Sequence, residues 1–156
     1  MYVAAAEAYH KAVRCLVIAT SLLFSAAGLF ADGADRDKLI GDWESHGDGD
    51  TRAGWILRAN GEAIHITRTE NDRKLSEYEC NTVGRECDVK EAGKPVKVSM
   101  WFNGPKLVVM ETRGNDVVKR RFHAADDGSE VEVEVIPIVP QGKTELLHLK
   151  RAPSSN

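Results

Sequence analysis

From Trp55 to Lys150 the chain is a succession of short stretches in which apolar and polar residues alternate, each stopped by a turn signal. The stretches are Trp55–Ala59, Ala63–Thr69, Lys74–Cys80, Glu86–Lys90, Val96–Phe102, Lys106–Thr112, Val117–Ala124, Val131–Ile136 and Leu146–Lys150. Between them stand Asn60-Gly61, Asn71-Asp72, Gly84, Gly93, Asn103-Gly104-Pro105, Gly114-Asn115, Asp127-Gly128 and Gly142. Gly and Asn reach the positive φ angles of tight hairpin turns at the least steric cost. No stretch after Asp32 holds a 3.6-residue apolar period over a helix's length. A single helical turn is expected around Asp35–Leu39.

A period of two puts alternate side chains on opposite faces of a strand. Val96, Val98, Met100 and Phe102 share one face, and Lys97, Ser99 and Trp101 the other. Val131, Val133 and Val135 alternate with Glu130, Glu132 and Glu134. One dry and one wet face mark antiparallel sheet half-exposed to water. A flat meander of this length leaves two open edges, and closure removes them. The expected fold is therefore all-β, an up-and-down antiparallel meander of eight or nine strands closed as a barrel, with a two-sheet sandwich as second choice.

The amino-terminal end follows different rules. Lys11 and Arg14 precede an uncharged run from Cys15 to Ala31, and the next acidic residue is Asp32. A basic flank, a short apolar stretch and small residues at its end read as an export signal. The run also lies at the short edge of what spans a bilayer. Residues 1–31 are thus read as a signal peptide or an uncleaved anchor, 32–151 as the barrel domain and 152–156 as a disordered tail. The working part of the chain is expected outside the cytoplasm, periplasmic or extracellular, and membrane-anchored only if the leader is retained.

Two cysteines follow the leader, Cys80 and Cys87. In an oxidising compartment such a pair forms a disulfide, expected here to clip a hairpin. The net charge of −3 is well mixed along the chain, and no basic footprint for nucleic acid is present.

Chemistry-bearing residues are sparse. Glu111 shares phase with Leu107 and Val109, so it is expected to point inward, with Arg120 on the following strand as its partner. Tyr78 and Phe102 are candidate lining residues of a ligand pocket, with Trp55 as a further aromatic. Trp101 is out of phase with the core and is expected to be an exposed partner surface. Alternation splits Lys119-Arg120-Arg121 across two faces, leaving Lys119 and Arg121 to pair with Glu130, Glu132 and Glu134. Asp48 and Asp50 do not complete a calcium loop, because Arg52 takes the next ligand position. No metal, cofactor or catalytic residue is assigned, since no serine sits in a nucleophile turn and no histidine spacing suits a ligand pair.

The segment Leu39-Ile40-Gly41-Asp42-Trp43 enters the first strand with a Gly-x-Trp. This motif, followed by a meander of this length, resembles the lipocalins and their wider relatives, the avidins included, and small exported bacterial lipocalin-like proteins of unknown function. The resemblance covers most of residues 39–151. It implies that Gly41 and Trp43 are structural, that Trp43 closes one end of the barrel, and that Lys150 or Arg151 packs over its ring. The resulting expectation is an exported, non-enzymatic barrel that binds a small apolar molecule or a protein partner. The alternatives are a membrane-anchored accessory or structural subunit and, least supported, a small hydrolase or isomerase with its site inside the barrel.

Overall fold

The computed structural model describes residues 33–46 and 52–153. The expected leader, residues 47–51 of the glycine-rich loop and the last three residues of the tail lie outside the described residues. A short helix, α1 (Gly33–Leu39), leads into ten strands. They are β1 (Gly41–His46), β2 (Arg52–Asn60), β3 (Ala63–Glu70), β4 (Arg73–Asn81), β5 (Val83–Glu91), β6 (Lys94–Asn103), β7 (Lys106–Arg113), β8 (Asp116–Ala124), β9 (Glu130–Val139) and β10 (Glu145–Arg151). All form one antiparallel sheet in the order β4-β3-β2-β1-β10-β9-β8-β7-β6-β5.

The order is a meander whose first and last strands meet, since β1 pairs with β10 through Trp43 opposite Arg151 and Glu44 opposite Lys150. The sheet is ten-stranded rather than eight or nine, and its closure has one seam, because β4 and β5 stand at the two ends of the strand order. They follow each other in the chain without a hydrogen-bonded ladder between them. The Cys80–Cys87 disulfide bridges this seam, with the two Cα atoms 6.1 Å apart. It therefore joins two sheet edges and does not clip a paired hairpin, which corrects the expectation from spacing. Neighbouring cysteines in sequence look like hairpin partners, and only the strand order shows that they are not.

The alternation holds on the inside. Leu57, Ile64, Ile66, Val98, Met100, Leu107, Val109, Phe122, Val133 and Leu149 are fully buried and come from seven strands. Each such side chain contributes about 1.5–3 kcal/mol relative to exposure. These residues form one buried cluster, which Leu39 of α1 and Trp43 of β1 join.

Trp43 is buried where α1 runs into β1. Its ring is 1% exposed and its Nε1 donates to the Leu39 carbonyl at 2.9 Å. The Arg151 guanidinium carbon lies 4.5 Å from the ring centroid, while Lys150 points to Glu130 on the outer surface. Arg151 also donates to the carbonyls of Gly128 at 3.2 Å and Ile40 at 3.4 Å, tying strand, helix and turn together. Gly41 makes this possible. Its φ is +156°, and a Cβ there would lie 2.5 Å from Arg151 Nη1.

Candidate functional site

Further along three of the strands the inward phase passes from apolar to charged residues. Arg68 continues the phase of Ile64 and Ile66 on β3, Arg113 continues that of Glu111 on β7, and Glu91 continues that of Cys87 and Val89 on β5. With Arg120 of β8 and Tyr78 of β4, these residues meet inside the barrel although the sequence spreads them over five strands.

Glu111 is the centre of the cluster and is 2% exposed. The Tyr78 hydroxyl donates to Glu111 Oε1 at 2.7 Å. Arg120 Nη1 approaches the same oxygen at 2.7 Å, and Arg113 Nη1 approaches Oε2 at 2.7 Å. The two guanidinium approaches are charge contacts without hydrogen-bond alignment, because Arg120 Nη1 and Glu111 Oε2 have no hydrogen-bond partner among the described residues. Arg113 Nε donates to Glu91 at 2.7 Å. Burial raises the Glu111 pKa, but the Arg120 charge, the Tyr78 hydrogen bond and the Arg113 charge outweigh it and hold the carboxyl below its ordinary value. Burial and the Glu111 carboxylate push Tyr78 well above 10.0. The acid is thus ionised and the phenol neutral across the physiological range. A general acid needs the opposite displacement of its carboxyl, so the arrangement suits binding more than proton donation.

Over this layer opens a cavity of about 280 Å³. Trp55, Leu75, Val135 and Leu147 supply its apolar wall, and Arg68 and Arg120 its cationic one. Glu70 and Glu145 stand at the rim. The guanidinium carbons of Arg68 and Arg120 lie 5.8 Å and 5.6 Å from the Trp55 ring centroid, within cation–π range. Trp55 itself packs edge-on against Phe122, the centroids 5.3 Å apart. Burial, and then the like charge of Arg120, draw the Arg68 pKa below its ordinary value.

Of the residues singled out from the sequence, Glu111, Arg120 and Tyr78 come together in one cluster. Phe102 packs half-buried on the core beside the β6–β7 turn and does not line this cavity. Trp101 faces outward as its phase requires, but it is half-buried rather than exposed. Its strand neighbours Val83 and Val108 flank it. Arg121 pairs with Glu134 across β8 and β9. Arg68, Arg113 and Glu91 were not among the expected site residues. Extending the two-residue phase of Ile64 and Ile66 by one step, or that of Glu111, is the signal that finds the two arginines.

Among the described residues no group of histidine, cysteine and acidic side chains is placed to hold a metal ion. No described helix is long and apolar enough to cross a membrane.

Solved structures of similar fold are β-barrels that include fatty-acid-binding proteins. Secretory abundant heat soluble protein 4 from Ramazzottius varieornatus is 15% identical with a TM-score of 0.60, over 73% of this chain and 94% of that one. Fatty-acid-binding protein 1 of Echinococcus granulosus is 8% identical with a TM-score of 0.60, over 75% and 99%. The Schistosoma mansoni fatty acid binding protein, solved in complex with arachidonic acid, is 13% identical with a TM-score of 0.57, over 74% and 97%. No protein-family model matches the chain, and no curated protein matches it by sequence.

Proposed function

We propose that this protein is an exported, non-enzymatic binding domain that holds a small apolar ligand in the mouth of its barrel. The observation that carries the reading is the cavity bounded by Trp55, Leu75, Val135 and Leu147 above a filled core. Concave, mainly apolar sites with a few placed polar groups are the usual form of small-molecule sites, and barrel mouths are a common place for them. Fatty-acid-binding proteins among the structural neighbours use the same architecture, which supports the reading by analogy of fold. Export draws support from the Cys80–Cys87 disulfide, since structural disulfides persist outside the reducing cytosol.

Native mass spectrometry of the protein from its own source tests both parts. A small-molecule adduct that is lost on the Leu147→Arg substitution is the expected result. An adduct-free protein, together with no uptake of any apolar probe, overturns the binding reading. A chain retaining residues 1–31 in a membrane-bound assembly replaces it with an anchored accessory subunit.

A further inference from the structure

We propose that the mouth cavity selects a compact monoanion, a short apolar carboxylic acid whose carboxylate is received by Arg68 and Arg120 while its body lies on Trp55 and Leu147. The inference rests on the cavity being the ligand site and adds the charge and size of the ligand.

The charge follows from groups left unsatisfied. Arg120 is 5% exposed and its Nη1 is taken up by Glu111, yet its Nε has no hydrogen-bond partner among the described residues, and neither has Arg68 Nε. Arg68 forms no ion pair among the described residues, whereas Arg113 is held by both Glu91 and Glu111. Buried guanidinium donors without acceptors are costly, because water no longer serves them and nothing replaces it. Glu111 compensates Arg120 from below, leaving the cavity-facing side of the pair in want of one negative charge. A carboxylate fits a guanidinium's fork of donors. Glu70 and Glu145 at the rim oppose a second negative charge, which restricts the ligand to a single one.

The size follows from the volume. A dry cavity of about 150 Å³ accommodates benzene, so the 280 Å³ here suits a body of one or two rings or a medium-length chain. The residues of the core cluster are buried, so a long acyl chain would have to displace them.

Calorimetric titration of the full-length chain with 2-naphthoate, 2-naphthamide and palmitate tests this. The acid is expected to bind at least tenfold tighter than the isosteric neutral amide, and tighter than palmitate. Arg68→Gln should reduce the preference of the site for the acid over the amide, and Arg68→Lys should restore part of that preference. Equal binding of acid and amide by the unaltered protein overturns the charge assignment while leaving the cavity as an apolar site. Tighter binding of palmitate overturns the size assignment. Binding of none of the three defeats both this inference and the reading it rests on.

Discussion

Cys80 and Cys87 are joined across the one place where adjacent strands of the barrel share no hydrogen-bond ladder. A covalent bridge there does the work that backbone pairing does at every other strand boundary. The loop it closes is short, so the entropic part of its contribution is about 2.5 kcal/mol. Reduction, or the Cys80→Ser/Cys87→Ser pair, should lower the melting temperature without abolishing folding. Hydrogen exchange should accelerate selectively in β4 and β5. Uniform acceleration over all ten strands would show that the bridge secures the whole fold and not the seam.

The charged cluster is expected to contribute to the acid limit of stability. The folded pKa of Glu111 lies below its ordinary 4.5. Its contribution is therefore complete above the unfolded value and is lost as pH falls through the folded one. Glu111→Gln leaves Arg120 buried without its counter-charge, a change that costs about 3–5 kcal/mol for buried pairs. Urea unfolding at pH 7 should show this loss, and the variant's stability should vary less than the parent's below pH 4.5. An unchanged acid limb would mean that other carboxylates set it.

Tyr78 governs the alkaline side. Its folded pKa is raised well above 10.0, so the stabilisation it brings is complete below that value and disappears as pH rises beyond it. Tyr78→Phe removes a hydrogen bond to a charged group, worth about 1.5–3 kcal/mol, and should flatten the fall in stability above pH 10. Ultraviolet titration of the native protein should show one tyrosine that ionises only on unfolding. Ionisation of every tyrosine near 10 would place Tyr78 in water.

Trp43→Ala removes the largest fully buried side chain and should cost about 3–5 kcal/mol. Arg151→Ala should cost less, about 0.5–1 kcal/mol for its cation–π contact plus its carbonyl hydrogen bonds. Gly41→Ala should cost about 1–3 kcal/mol through backbone strain and displacement of Arg151. If Trp43→Ala costs under about 1 kcal/mol in denaturant unfolding, this ring is not part of the core.

The sequence alone determined the alternating strands, the turns between them, and the inward phase of Glu111 and Arg120, because these depend on local periodicity and on which residues reach positive φ. It also carried the Gly41-x-Trp43 motif at the entry to the first strand. The seam and the convergence of the arginines were decided only by tertiary structure. Whether two strands adjacent in sequence pair, as β4 and β5 do not, depends on how the whole sheet curls and where its edges meet. Arg68, Glu91 and Arg113 lie far from one another in sequence, and their phases say only that each points inward. That Arg113 meets both Glu91 and Glu111, and that Arg68 lines one cavity with Arg120, follows from the register of the closed sheet, which is a property of no single segment.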